Sequence, residues 1–84
     1  MFNVEFTKRA IKDFQKLDSS TQSRVLKSLN ILAESPYTNP NVKKLTNREG
    51  YRLRVGDYRV IFEIKNKELI ILVLETGHRK NIYH

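Results

Sequence analysis

The chain contains no cysteine and no tryptophan, and its 84 residues include only three glycines, two prolines and one methionine. Without cysteine there is no disulfide framework and no thiolate metal site. Two histidines lacking carboxylates at ligand spacing cannot complete a zinc shell, so no metal or other cofactor is expected. No apolar run approaches the roughly 18 residues that a membrane span needs. The opening Met1-Phe2-Asn3-Val4-Glu5-Phe6 has neither the positive segment nor the apolar segment of a secretory leader. The expectation is a cytoplasmic protein with no membrane partner. No Ser or Cys nucleophile motif is present. Acidic residues are scarce too: nine Asp/Glu face sixteen Lys/Arg, for a formal charge of +7.

At this length, 39% hydrophobic and 30% charged residues describe a single domain spanning 1–84 with one modest core. The basic surplus is uneven. Residues 1–40 carry six Lys/Arg against four Asp/Glu (+2), and 41–84 carry ten against five (+5). Solubility accounts for the first half; the second half reads as a surface for a polyanion.

Phe2, Val4 and Phe6 alternate with polar residues and predict a short half-buried strand. Thr7 then caps an amphipathic helix with Ala10, Ile11, Phe14 and Leu17 on its apolar side. Ser19 and Gln22 form a capping box for a second helix, whose Val25, Leu26, Leu29 and Leu32 face the core until Glu34-Ser35-Pro36 ends it. Residues 36–50 read as a long basic loop with a brief strand around Val42 to Leu45. The expected fold is α+β: an N-terminal strand and an antiparallel two-helix hairpin on a mainly antiparallel, twisted sheet of about four strands, with a short C-terminal helical turn.

The segment Tyr51-Arg52-Leu53-Arg54-Val55-Gly56-Asp57-Tyr58-Arg59-Val60-Ile61-Phe62-Glu63-Ile64 carries most information. Gly56-Asp57 between two alternating runs is a two-residue hairpin loop that pairs Arg54 with Arg59 and Arg52 with Ile61. Opposed like charges are destabilising, so the face asks for an anionic partner. Lys65 to Glu68 is the next turn, pairing Ile64 with Leu69, Phe62 with Ile71 and Tyr58 with Glu75 along a last strand from Glu68 to Glu75. Tyr51, Leu53, Val55, Tyr58, Val60, Phe62, Ile64, Leu69, Ile71 and Val73 then share the core face. Ile61, Ile70, Leu72 and Leu74 form an apolar strip beside the arginines and suggest a protein partner. The tail leaves at the end of the sheet where Arg54 and Arg59 stand.

Arginines, two histidines and a terminal tyrosine suit work on a phosphodiester. RNA brings its own nucleophile, the 2′-OH, and needs proton transfer and cations around the developing charge. Arginine supplies only the cation, which leaves His78, His84 or Tyr83 for proton transfer.

The order of strand, helical hairpin, the run from Tyr51 to Phe62 and the tail Gly77-His78-Arg79-Lys80-Asn81-Ile82-Tyr83 resembles the RelE/ParE superfamily of bacterial toxins, close to its RelE branch. The likeness covers nearly the whole chain. It implies the toxin of a type II toxin–antitoxin pair, a metal-independent endoribonuclease that cleaves messenger RNA in the ribosomal A site and is held inactive by a RelB-like antitoxin. Operator DNA would be met only through the antitoxin complex. By position, Arg59 would stabilise the phosphate transition state, Arg79 would assist it, and Tyr83 would stack on or activate the substrate. Arg52 and Arg54 stand where the best-known relative has lysines, so they offer electrostatic help alone, and His78 is a further catalytic candidate. Lys43, Lys44, Arg48 and Lys80 would contact RNA. Two alternatives remain: a ParE-like inhibitor of DNA gyrase, and a catalytically silent partner in antitoxin-bound promoter repression.

Overall fold

The computed structural model describes residues 1–82. Tyr83 and His84 lie outside them. The element order is β1 (Asn3–Phe6), α1 (Lys8–Gln15), α2 (Ser19–Glu34), β2 (Val42–Lys44), β3 (Tyr51–Val55), β4 (Tyr58–Lys65), β5 (Ile70–His78) and α3 (Arg79–Ile82). The strands form one sheet in the order β1-β5-β4-β3-β2. β1 runs parallel to β5, and every other pair is antiparallel. The expected α+β architecture holds, with five strands because β1 joins the sheet edge and β2 extends the other side.

Thr7 caps α1 by accepting the Ala10 N–H at 3.1 Å. The cap of α2 falls one residue before the expected Ser19. Asp18 accepts the Thr21 N–H at 2.7 Å, while the Gln22 side chain turns back to donate to Phe14 O at 3.0 Å and ties the two helices together. A carboxylate satisfies the orphan N–H groups of a first turn as well as a hydroxyl does, and Asp18 is one position nearer to the end of α1. The helices cover one sheet face. Ala10, Val25, Leu29 and Leu32 bury against Leu53, Val60, Phe62, Ile71 and Val73, and Tyr51 stacks on Phe62 with ring centroids 5.6 Å apart. Ile11 and Leu26, read as core residues, remain 45% exposed, so the buried stripes are narrower than the apolar spacing suggests.

The β3–β4 hairpin has the expected register, Arg54 opposite Arg59 and Arg52 opposite Ile61. Gly56 takes φ +59°, as a Gly-X loop requires. The β4–β5 register differs from the expectation. Leu69 adopts φ +55° and is 49% exposed as part of the turn; β5 therefore starts at Ile70, with Ile64 opposite Ile71 and Phe62 opposite Val73. A bulge then intervenes, because Ile61 pairs with Glu75 and Leu74 is the extra residue. Beyond it the sides exchange. Glu75 and Gly77 lie on the outer face, Thr76 and His78 on the helix side, and His78 rather than Glu75 stands opposite Tyr58.

The second half of β5 extends past β1, and α1 protects that edge. The Thr7 hydroxyl donates to Leu74 O at 3.3 Å, and Asp13 accepts the Thr76 N–H at 3.2 Å. Among the described residues no helix is long and apolar enough to cross a membrane.

Two stability predictions follow from this packing. Phe62 is fully buried, so Phe62→Ala should cost about 3–5 kcal/mol, read from urea unfolding. The hydroxyl of Thr21, then its backbone N–H, holds the Asp18 carboxyl below its ordinary value of 3.8. A depressed folded-state pKa gives stability that is present above the unfolded value and lost as pH falls through the folded one. Wild type should therefore lose more of its urea midpoint between pH 5 and 2 than Asp18→Asn, which keeps the cap without titrating.

Candidate nucleic-acid interface

The face turned away from the helices carries two lateral rows of residues. One is Lys43, Arg52, Ile61 and Glu75; the other is Arg54, Arg59 and Gly77. The opposed arginines avoid each other by diverging. Arg54 Nη2 donates to Asn41 Oδ1 at 2.9 Å, towards β2. Arg59 folds towards the hairpin turn, where Nη1 donates to Gly56 O at 2.8 Å and Tyr58 O at 2.9 Å. Arg59 is only 8% exposed, which is unusual for an arginine. Turn carbonyls thus hold one end of its guanidinium in place.

The tail reaches the same end of the sheet. The Arg79 N–H donates to Asp57 O at 2.9 Å, anchoring the start of α3 to the turn. Gly77 stands across from Arg59, and the Ile82 side chain lies over it: a Cβ at Gly77 would sit 3.5 Å from Ile82 Cδ1. Ile82 thereby packs α3 onto the outer face at Gly77, at a distance where even a methyl group would make ordinary contact. Arg54, Arg59 and Arg79 accordingly line one groove beside the Gly56-Asp57 turn, and Arg52, Arg54 and Arg59 line a second with Lys43.

His78 is not brought to this face. Its ring meets Tyr58 edge-on at 5.4 Å on the helix side, and its Nδ1 accepts the Lys80 N–H at 3.2 Å. In the neutral ring the proton is then on Nε2. Tyr83 lies outside the described residues. Lys43 and Lys44 are exposed on β2, and Lys80 is exposed on α3.

Arg48 is held by an acidic side chain. It donates to Glu75 at 2.8 Å, and Arg9 of α1 approaches the same carboxylate at 3.4 Å. Glu75 is nearly buried and escaped the sequence reading because strict alternation puts it on the core face. The bridge draws the loop after β2 across the sheet, where Leu45, Ile61 and Ile82 join Arg48, Arg52 and Glu75 around a cleft of about 350 Å³. Ile61 is covered there, only 3% exposed, and Ile70, Leu72 and Leu74 are half-buried. The apolar strip expected beside the arginines is thus covered by the chain's own loop and tail at Ile61.

A family model described as the ParE toxin of type II toxin–antitoxin systems matches residues 4–83. The chain belongs to that family. It is a RelE/ParE-superfamily toxin. A RelE-like toxin protein of Escherichia coli is 30% identical over 81 residues, which are 94% of this chain and 84% of that one. The mRNA interferase toxin RelE of Escherichia coli K12 is 26% identical over 78 residues, 92% of this chain and 82% of that one. Among solved structures, the toxin–antitoxin complex RelBE2 from Mycobacterium tuberculosis contains a chain that superposes with a TM-score of 0.81 at 26% identity, covering 93% of this toxin and 98% of that chain.

The Arg48–Glu75 bridge generates a test of how the toxin's cleft is held. Glu75→Gln should cost about 1.5–3 kcal/mol, the scale of a hydrogen bond to a charged group. Arg48→Ala should cost less, since its side chain is 50% exposed. In a double-mutant cycle by urea unfolding the two losses should sum to more than the double variant's loss.

Proposed function

We propose that this toxin is an mRNA interferase acting in the ribosomal A site and restrained by a RelB-like antitoxin. The observation that carries the reading is the convergence of Arg54, Arg59 and Arg79 at one end of the sheet, with Arg59 held in advance by the turn carbonyls. The mRNA interferase name of one relative and the antitoxin complex of a structural neighbour support it.

In this mechanism the substrate's 2′-oxygen attacks the adjacent phosphorus as its proton is withdrawn. The bond to the 5′-oxygen breaks, that oxygen takes up a proton, and a 2′,3′-cyclic phosphate and a 5′-hydroxyl result. Negative charge grows on the phosphoryl oxygens, and Arg59 meets it without reorganising, which is where a fixed cation contributes most. Arg79 and Arg54 add to the field, and Arg52 extends it along β3. None of these exchanges a proton. With His78 turned to the helix side against Tyr58, Tyr83 and His84 are the chain's candidates for that, and Tyr83 also offers a ring on which an unpaired base stacks. Lys43, Lys44 and Lys80 steady the complex through ribosomal RNA phosphates. Arg48, half-exposed and anchored by Glu75, adds to these contacts from the cleft wall. Operator DNA is reached only within the antitoxin complex.

Arg59→Ala should lower the rate of message cleavage by about 10²–10³-fold, the scale of one transition-state donor. The measurement is in vitro translation of a defined message, with 5′ ends mapped by primer extension in the presence and absence of ribosomes. Cuts within A-site codons that depend on ribosomes and vanish with Arg59→Ala support the reading. An uncut message with unimpaired translation overturns it, and a supercoiling assay would then test gyrase inhibition.

A further inference from the structure

The arginine row does not end at the edge of the sheet. Helix α2 passes beside the hairpin turn, and its Arg24, Lys27, Ser28 and Ile31 recur at i, i+3, i+4 and i+7, on a face separate from the buried stripe of Thr21, Val25, Leu29 and Leu32. This face spans about 10 Å along the helix. Together with Arg54, Arg59 and Arg79 it lines a groove of about 690 Å³ in which, among the described residues, Asp57 is the only acidic side chain. The side chains of Arg24, Lys27 and Arg79 make no hydrogen bond or ion pair among the described residues.

Gly56 joins the two halves of the groove. The Arg24 guanidinium rests against it so closely that a Cβ there would lie 2.3 Å from Nη2. Arg59 Nη1 meanwhile holds the carbonyl of the same residue. Two guanidiniums, one from the sheet and one from α2, therefore meet at one glycine. A phosphate bound beside that glycine is met by cations from both the sheet and α2.

We propose that this groove is a second phosphate-binding track, in which Arg24 and Lys27 hold the backbone of the single-stranded RNA flanking the bond at Arg59. The inference rests on the ribonuclease reading for the identity of its ligand. The groove opens onto Arg54 and Arg59 without interruption, so a strand whose phosphate lies at Arg59 continues into it. Exposed Ile31 at the far end, 55% accessible, offers an apolar surface to a base rather than another charge.

The test is binding of the full chain to a fluorescent 2′-O-methyl RNA dodecamer, which lacks the nucleophile, measured by anisotropy from 50 to 300 mM KCl. Each phosphate contact on a single strand contributes about 0.7 to the slope of log K against log salt. Arg24→Ala/Lys27→Ala should reduce that slope by about 1.4 and weaken binding at least ten-fold at 100 mM, whereas Arg24→Lys retains most of it. Lys65→Ala/Lys67→Ala removes the same charge at the far end of the sheet and should leave the slope unchanged. Thermal melts verify that each variant is folded. Equal losses in the two double variants would reduce the groove to net charge, and an unchanged slope would eliminate it. Loss of an acidic antitoxin peptide with RNA binding intact would make it a protein seat and overturn the proposal. The same variants enter the message-cutting assay: a wild type that cuts with no slope change sinks the track alone, and one that binds with the predicted slopes but never cuts sinks the ribonuclease reading alone.

Discussion

The β5 bulge at Leu74 is the constraint on which the rest of the site depends. Before it, Ile71 and Val73 face the helices; after it, Thr76 and His78 do, while Glu75 and Gly77 turn outward. One extra residue thus delivers a carboxylate beside Ile61 and Gly77 across from Arg59. The carboxylate holds Arg48 and Arg9, and Ile82 packs over Gly77. Were the strand regular, Thr76 would lie on the outer face opposite the arginines. The bulge survives because α1 satisfies the edge it disturbs, through Thr7 at Leu74 O and Asp13 at the Thr76 N–H.

Placing cations this densely in a small domain is costly, and the chain separates two ways of managing it. Arg48 pairs with Glu75, Arg9 lies near both Glu75 and Asp13, and the two serve as structure. Arg54 is steered by a neutral amide oxygen, and Arg59 Nη1 by backbone carbonyls. The amide oxygen of Asn41 orients the Arg54 guanidinium without cancelling its charge, whereas a carboxylate both orients and cancels. An anionic partner, whether RNA or an acidic protein segment, then stabilises the folded chain as it binds.

Legibility in the sequence follows how local the determining interaction is. The β3–β4 hairpin and its arginine register were readable because Gly56-Asp57 and the flanking alternation specify both from neighbouring residues. Thr7 as a cap and a brief strand around Val42 to Leu45, observed as Val42–Lys44, were readable for the same reason. The β5 register was not. Leu69 looks like a core residue by composition, and only the turn geometry places it at φ +55°. The bulge at Leu74 leaves no compositional mark, so alternation pairs Glu75 with Tyr58 and hides its bridge to Arg48. Arg24 was invisible as part of the site for a different reason: its neighbour Gly56 is 32 positions away, and helix periodicity alone presents it as an ordinary solvated residue. The resemblance of the hairpin and tail to RelE/ParE toxins identified the family, because it depends on local segments and their order.

The Gly56-Asp57 turn shows why such a site can be built with few residues. Its two carbonyls serve different elements: Gly56 O accepts from Arg59 and Asp57 O from the Arg79 N–H. The open side of Gly56 receives Arg24 from α2. A two-residue loop is among the stiffest connections available to a hairpin, since its geometry is set by the twist of both strands. Groups attached to its backbone inherit that stiffness without needing a packed shell of their own. In an 84-residue chain, where the core is already committed to joining helices and sheet, the turn is the rigid body on which sheet, helix and tail can bring their cations to a common point.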